Sequence, residues 1–307
     1  MKKNYLKITA GVMSSAMLIG LCAAGVPAKV IAATEHWNDA SASATQWNQW
    51  KNNWNTYSSN YEHVSLTPGA DQTQLNLAWY SHTTETPAVR IATKQNMDGA
   101  KEFVGTQTEA VTIDGVKYFS NKATVKGLKE NTKYYYQVFQ NGKWQDAETY
   151  TTKSFDSFSF LYVGDPQIGA SKNQTSTEQE KMVSAGNEVS SAAKDNLAAR
   201  NDGYNWNNIL NDAVKDHEDV SFIVSAGDQV NAGKNEREYA AYLGADALAS
   251  LPVATTIGNH DSVSNQYTLH FNNPNAFSDK DANYIQGKTE AGTDYYYRYG
   301  NTLFMVL

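Results

Sequence analysis

Three short apolar runs, each followed by a glycine and an oxygen-bearing side chain, restrict the fold of this chain more than any other feature. The runs and the residues behind them are 159–163 with Gly164-Asp165, 220–224 with Gly227-Asp228, and 252–257 with Gly258-Asn259-His260-Asp261. Segments with helical patterns separate or follow these runs, at residues 180–199, 206–216 and 235–249. Strands that alternate with helices form an α/β layer. We therefore predict an α/β domain over residues 155–307.

The side chains that follow these predicted strands in the sequence have the chemistry of metal ligands. Ligands of α/β sheets bind outside the carboxyl ends of the strands, so the three loops are expected to meet at one edge. Carboxylate and amide oxygens bind divalent or trivalent metals. Asp165 is a candidate ligand of one ion, Asp228 a candidate bridge between two, and Asn259 a candidate ligand of the second. The glycine before each ligand would let the backbone turn tightly.

His260 and Asp261 are candidate catalytic residues beside this metal site. His260 would protonate a leaving oxygen or stabilise its charge, and Asp261 would orient His260 and tune its charge. Two metal ions about 3.5–4 Å apart orient a hydroxide and neutralise phosphoryl oxygens. This set of residues therefore points to hydrolysis of a phosphate ester.

The region before the α/β domain, residues 62–154, has the pattern of an all-β sandwich. Alternating runs occur at residues 74–79, 88–92, 118–128 and 132–138, and Asn141-Gly142 predicts a hairpin turn. Residues 123–136 resemble the end of a fibronectin type III domain. We expect no catalytic group in this region, which would be a structural spacer or a flank of the active site.

The ordered motifs resemble the calcineurin-like metallophosphoesterase superfamily. With the β-rich region in front, residues 63–307 look like bacterial, secreted relatives of purple acid phosphatases. The resemblance implies a catalytic domain of two sheets flanked by helices. It also implies an acid phosphatase-like phosphomonoesterase that uses a hydroxide on two metal ions (Fe, Mn, Zn or Ca) and a small phosphorylated substrate. A phosphodiesterase or nucleotidase, or a non-catalytic secreted binding protein on this scaffold, are the alternatives.

Three positions depart from the superfamily pattern or extend it. Gln167 stands where His or Gly is usual, and its amide oxygen is a candidate metal ligand or a turn residue. Asn231 stands where purple acid phosphatases have Tyr, so no tyrosinate–iron colour is expected. Asn231 is a candidate substrate-binding residue or a turn cap. His270 is a candidate substrate-binding residue at the pocket rim or a structural histidine.

The histidine ligands of the later superfamily motifs do not follow in this sequence. After His260 only His270 remains, and residues 301–307 have the pattern of a core strand. We therefore expect an incomplete catalytic domain that on its own holds the second metal ion poorly.

The first residues have the pattern of a secretory signal, which we assign to residues 1–33. Three lysines precede an apolar run at residues 8–26 and small residues at 31–33. A membrane anchor, or a lipoprotein modified at Cys22, is the alternative. Removal of this segment, which has four lysines, no acid and the only cysteine, changes the net charge from −7 to −11. We expect a secreted or cell-surface protein without disulfides, without nucleic acid as main partner and without membrane contact after cleavage.

A tryptophan-rich segment, residues 34–61, lies between the signal and the β-rich region. Trp47, Trp50 and Trp54 share one face of a predicted helix. We expect this face to pack against the domain that follows, with an exposed carbohydrate-binding platform as the alternative.

Overall fold

The computed structural model describes residues 44–173, 190–277 and 292–307. The predicted signal segment, residues 1–33, lies outside the described residues. The helices are α1 Ala44–Ser58, α2 Ser191–Asp216, α3 Glu236–Leu243 and α4 Gln266–His270. Three short 3₁₀ helices span Ala170–Asn173, Asp246–Ala249 and Asp261–Val263. No helix of the described residues is long and apolar enough to cross a lipid bilayer.

The first domain is the predicted β-sandwich. Its strands are β1 Ser65–Pro68, β2 Gln74–Ser81, β3 Ala88–Ala92, β4 Lys101–Val104, β5 Thr106–Ile113, β6 Val116–Lys126, β7 Lys133–Gln140, β8 Lys143–Trp144 and β9 Glu148–Thr151. One sheet has the order β1-β2-β6-β5, and the other has β4-β3-β7-β8 with β9 also on β7. Every pairing is antiparallel. The predicted hairpin turn joins β7 to β8, and φ is 54° at Asn141 and 76° at Gly142.

The second domain contains the predicted parallel α/β layer. Its strands are β10 Ser159–Val163, β11 Val220–Ser225, β12 Val253–Ala254, β13 Tyr295–Tyr299 and β14 Thr302–Val306. Strands β10, β11 and β12 are parallel neighbours in that order, while β13 and β14 form an antiparallel pair. The predicted order of an all-β domain followed by an α/β domain is therefore confirmed.

All three predicted helices of the second domain differ from the observed ones in extent. The patterns at residues 180–199 and 206–216 predict two helices, but from Ser191 the chain forms the single helix α2, while residues 180–189 lie outside the described residues. The third pattern, at residues 235–249, predicts one helix. Helix α3 instead ends at Leu243 because Gly244 caps it, and a 3₁₀ turn follows.

Strand β2 is buried on both faces, although its alternating pattern predicts one exposed face. Leu75 and Leu77 lie in the sandwich core, and Asn76 on the opposite face is only 4% exposed. That second face is covered by the second domain, because the carbonyl of Asn272 accepts a hydrogen bond from Nδ2 of Asn76 at 2.7 Å and one from Thr67 at 2.8 Å. The two domains therefore share a polar, hydrogen-bonded interface along β1 and β2.

Helix α1 packs its tryptophan face against helix α2. The indole N–H of Trp50 donates to the carbonyl of Arg200 at 2.8 Å, and that of Trp54 donates to Oδ1 of Asn196 at 2.8 Å. The Trp47 ring meets the Tyr204 ring edge-on at 5.0 Å. The prediction that this face packs against the next domain in sequence is wrong, because α2 belongs to the α/β domain and supplies aromatic and polar partners. Burial of all three indoles also contradicts the exposed carbohydrate platform.

Replacement of Trp50 by alanine is expected to destabilise the protein by about 3–5 kcal/mol, since it removes a buried indole and its hydrogen bond to Arg200. Urea unfolding followed by circular dichroism measures this loss. Asn52→Ala, on the exposed face of α1, is the matched control and should change the free energy of unfolding by less than about 0.5 kcal/mol. Equal effects of the two substitutions would contradict the packing of α1 on α2.

Candidate active site

The loop after β10 runs alongside the loop after β11 and brings their acidic residues together. The backbone N–H of Gln167 donates to the carbonyl of Asp228 at 2.9 Å. One residue further along each loop, the N–H of Ile168 donates to the carbonyl of Gln229 at 3.2 Å. In return, the N–H of Asn231 donates to the carbonyl of Ile168 at 2.9 Å. These bonds continue the parallel pairing of β10 and β11 beyond the strands, and the two loops meet at one sheet edge.

Asp228 has a left-handed backbone and a glycine packed against its side chain. Its φ is 48°, and φ of the preceding Gly227 is 110°. Gly258, from the loop after β12, lies so close that a Cβ atom there would be 1.9 Å from Oδ1 of Asp228. The predicted need for glycine is thus seen at Gly227 and Gly258. It is not seen at Gly164, where φ is outside the left-handed region and an added Cβ atom would meet nothing within 4 Å.

A side-chain amide lies between the two carboxylates of the site. Nε2 of Gln167 is 3.2 Å from Oδ2 of Asp228 and 3.5 Å from Oδ2 of Asp165. Burial and the negative charge of Asp228 raise the pKa of Asp165, and the nearby His260 acts in the opposite direction. Two carboxylates that repel each other around a hydrogen-bond donor form a site suited to positive charge. Rotation of the Gln167 amide by 180° would turn its oxygen toward a cation.

The set of metal-competent side chains is small. Within the part of the chain that the structure describes, no group of three or more His, Cys, Asp or Glu side chains is placed to hold a metal ion. The acidic donors are Asp165 and Asp228, beside the neutral amide of Gln167. Asn259 is exposed on the third loop, where its backbone carbonyl accepts a hydrogen bond from Ser262 at 3.1 Å. Asp165, Gln167 and Asp228 thus bring together carboxylate and amide oxygens of the kind that bind a cation.

His260 is held at three points by the loop after β11. Nδ1 of its ring lies 2.6 Å from the carbonyl oxygen of Asn231. Its backbone N–H donates to Oδ1 of Asp228 at 2.8 Å, and its backbone carbonyl accepts from the N–H of Gly233 at 3.2 Å. A carbonyl oxygen only accepts, so Nδ1 carries a proton and Nε2 is the ring nitrogen outside this bond. The contact of Asn231 with His260 runs through its backbone, and a substrate contact of its side chain stays a prediction.

Asp261 has different partners from those that the sequence suggested. Its buried carboxylate accepts hydrogen bonds from the backbone N–H groups of Gln229 at 3.1 Å, Val230 at 3.4 Å and Gly258 at 3.0 Å. Burial raises its pKa to about 6, although these N–H groups act in the opposite direction. Asp261 therefore ties two loops together, whereas the expected contact with the imidazole of His260 is taken by the carbonyl of Asn231.

His270 lies in the domain interface and is 5% exposed, which contradicts the predicted position at a pocket rim. Its Nε2 lies 2.7 Å from Oε2 of Glu236, and its ring is stacked between Tyr80 at 4.4 Å and Tyr239 at 4.3 Å. A side chain with both ring faces covered and a buried partner has no surface to offer a substrate. The structural interpretation of His270 is therefore the one that its surroundings support.

Two buried carboxylates that sequence reasoning missed hold the loops around the site. Oδ2 of Asp202 accepts from the N–H of Gly169 at 2.8 Å, and Oε2 of Glu238 accepts from the N–H of Ala232 at 2.6 Å. Burial raises the pKa of Asp202 to about 6 and that of Glu238 to about 7. Glu238 follows the helix cap Asn235 by three residues, which is a capping-box spacing visible in the sequence. Asp202 lies within a helical pattern and gives no comparable signal.

Each of the two domains matches a model of a known protein family. Residues 61–152 match the family model of the purple acid phosphatase N-terminal domain, and residues 158–305 match that of calcineurin-like phosphoesterases. No curated protein matches the chain.

Two solved structures are similar to the described fold. The purple acid phosphatase PPD1 from yellow lupin (Lupinus luteus) seeds has a TM-score of 0.51 and 13% identity, over 80% of this chain and 44% of that chain. A structure of PhoD has a TM-score of 0.43 and 11% identity, over 81% of this chain and 52% of that chain. This chain therefore spans about half the length of these structures, and the lupin enzyme shares its fold.

The close approach of Gly258 to Asp228 predicts that Gly258→Ala lowers stability. The added Cβ atom would meet Oδ1 of Asp228 at 1.9 Å, so the loops must separate at a cost of about 1–3 kcal/mol. Urea unfolding measures the loss. Gly164→Ala, which places a Cβ atom in open space on the first loop, should leave the free energy of unfolding nearly unchanged. A Gly258→Ala protein as stable as the Gly164→Ala protein would contradict this geometry.

The raised pKa of Asp202 predicts a pH-dependent contribution to stability. Since its pKa is about 6 in the folded protein and about 3.9 in an unfolded chain, the folded state binds the proton more tightly. The resulting stabilisation is complete below pH of about 4 and is lost as pH rises through about 6. The thermal midpoint of Asp202→Asn should therefore fall less between pH 4 and 7 than that of wild type. Asp212→Asn, at an exposed position of the same helix, should follow wild type, and identical profiles for all three proteins would contradict the assignment.

Proposed function

We propose that the protein is a metal-dependent phosphoric ester hydrolase, because residues 158–305 match the calcineurin-like phosphoesterase model and residues 61–152 match the purple acid phosphatase N-terminal domain model. The observation that carries the proposal is the meeting of three loops around Asp165, Asp228 and His260. The Gln167 amide donates to both carboxylates there, and His260 donates its backbone N–H to Asp228.

The donor set fits a divalent or trivalent cation. Asp165, Asp228 and the amide oxygen of Gln167 would hold one ion, and Asp228 with Asn259 would contribute to a second. Carboxylate and amide oxygens suit Mn, Ca, Fe and Zn, and this chemistry leaves the identity of the ion open. When bound, such an ion polarises the phosphoryl oxygens and makes a water molecule a stronger nucleophile. The use of two ions, with a hydroxide as nucleophile, stays part of the proposal.

His260 supplies the proton for the leaving oxygen. The Asn231 carbonyl oxygen lies 2.6 Å from Nδ1 of His260 and accepts its proton in a hydrogen bond. This bond orients the ring so that Nε2 faces the substrate. In its doubly protonated form the imidazole donates from Nε2 as the ester bond breaks, and its positive charge stabilises the developing anion. Asp261 acts at a distance, since its carboxylate keeps the loop that bears His260 in place.

The substrate class in this proposal is a small phosphate ester, with a monoester as first choice. The net charge of −11 that the chain has without residues 1–33 does not favour a nucleic-acid backbone as main partner. We further propose action outside the cytoplasmic membrane, which is supported by the lysines and the apolar run within residues 1–33. A phosphodiesterase and a non-catalytic binding protein are the outcomes that the assay below separates.

Turnover of an aryl phosphate monoester and an aryl phosphodiester, with Mn, Zn, Fe or Ca added, tests the proposal. His260→Ala is expected to lower kcat by about 10²- to 10⁴-fold, since it removes the proton donor. His217→Ala, an exposed histidine at the end of α2, is the matched control and should keep wild-type kcat.

The two substrates distinguish the candidate functions. Faster turnover of the diester would favour the phosphodiesterase, and metal binding without turnover of either ester would favour a binding protein. Unchanged kcat in His260→Ala would contradict the role given to this histidine.

A further inference from the structure

One peptide group is hydrogen-bonded at both of its ends to buried or catalytic side chains. Its carbonyl belongs to Asn231 and lies 2.6 Å from Nδ1 of His260. Its N–H belongs to Ala232 and donates to Oε2 of Glu238 at 2.6 Å. The chain of contacts is therefore imidazole, peptide and carboxylate, in which each group donates to the next. Glu238 itself does not contact the imidazole of His260.

Glu238 is itself firmly placed. Its side chain is 2% exposed on α3, and Oε1 accepts from Nδ2 of Asn235 at 2.9 Å. The loop after β10 closes over it, because a Cβ atom added at Gly169 would lie 2.4 Å from Oε1. A carboxylate enclosed in this way and bonded through both oxygens fixes the plane of the Asn231–Ala232 peptide. It fixes the direction of the Asn231 carbonyl at the same time.

We propose that Glu238 is a positioning residue for His260, which acts by holding and polarising the Asn231–Ala232 peptide. The inference rests on the proposed function for its catalytic consequence, whereas its structural part stands on these contacts alone. A carboxylate that accepts from one end of a peptide draws the N–H proton and makes the carbonyl at the other end a stronger acceptor, and it does so most strongly in the ionised form that Glu238 takes above its pKa of about 7. The stronger acceptor holds the proton on Nδ1 and the ring in one orientation. Because the ring orientation is fixed, Nε2 stays directed toward the substrate.

The first test is the state of the His260 ring, measured by NMR of its nitrogen nuclei in the whole chain at about pH 8.5, where the carboxylate of Glu238, with its pKa of about 7, is ionised. The chain has six histidines, and His260→Ala identifies the signals of His260. In wild type we expect protonated Nδ1 and a strongly downfield Nδ1–H proton, as a 2.6 Å bond requires. Glu238→Gln keeps an acceptor oxygen for Ala232 without the charge, and should move this proton upfield. Glu238→Ala removes the acceptor and should give a mixture of both ring tautomers.

Glu236→Gln is the matched control for damage to the fold. Glu236 lies two residues away on α3 and is also buried, but it pairs with His270 in the domain interface. Its replacement should leave the Nδ1–H signal of His260 at the wild-type position. If Glu238→Ala does not fold, Glu238→Gln still decides the question, since it preserves the size and shape of the side chain. An Nδ1–H signal that does not move in Glu238→Gln would overturn the proposal.

The second test is a double-mutant cycle on turnover of the aryl phosphate. Glu238→Ala is expected to lower kcat by about 10- to 100-fold with KM little changed, as loss of an outer-sphere partner does. In the His260→Ala background the same substitution should lower kcat no further, because Glu238 acts through His260. An equal loss in both backgrounds would show a general structural role and would overturn the proposal.

The two tests separate failure of this proposal from failure of the proposed function. A protein without phosphoesterase activity whose His260 signal still responds to Glu238→Gln would refute the proposed function and retain the positioning contact. An active enzyme in which neither Glu238 variant changes the ring signal or kcat would refute the positioning role alone.

Discussion

The buried carboxylate of Asp261 is the interaction on which the geometry of the site depends. The loops after β11 and β12 come together over a short distance, and their backbone N–H groups point into a region that is closed to water. Asp261 accepts from Gln229 and Val230 on one loop and from Gly258 on the other. Unpaired N–H groups in that region would cost about as much as lost hydrogen bonds. Because Asp261 follows Asn259 and His260 directly, anchoring its carboxylate also places these two neighbours.

The β-sandwich supports the α/β domain at the start of helix α3. His270 is stacked on Tyr80 of strand β2 and pairs with Glu236, the first residue of α3. The hydroxyl of Tyr80 also donates to Oε1 of Glu236 at 3.3 Å. Two residues later on α3, Glu238 holds the loop of Asn231 through the N–H of Ala232, and the Asn231 carbonyl contacts His260. The sandwich thus packs against the helix whose Glu238 holds the loop of Asn231 and Ala232.

The parts of this structure that repeat a local pattern could be predicted from the sequence. Strands β3 and β10 have the predicted limits, because a short apolar run between turn residues has few alternatives. The meeting of the loops that follow the strands could also be predicted, since parallel strands carry their ends to a common edge. The partner of His260 could not, because the adjacent Asp261 is the obvious choice in sequence and the Asn231 carbonyl becomes closer only after folding. The surroundings of His270 could not be predicted either, because its neighbours Tyr80 and Tyr239 lie more than a hundred residues apart in the sequence.

The amino-acid sequence by itself determined which side chains stand at the strand ends, in what order, and with which glycines beside them. These features follow from the spacing of apolar residues, from the residues that turns require and from the side chains that bind ligands, all of which act over a few residues. Tertiary structure alone decided which carboxylates are enclosed by backbone N–H groups and which lie at the exposed edge of the sheet. Asp202, Glu238 and Asp261 lie where loops from distant parts of the chain meet and bury their N–H groups, so their oxygens are used there. Asp165 lies at the exposed edge of the same loops, where Nε2 of Gln167 is 3.5 Å from its carboxylate.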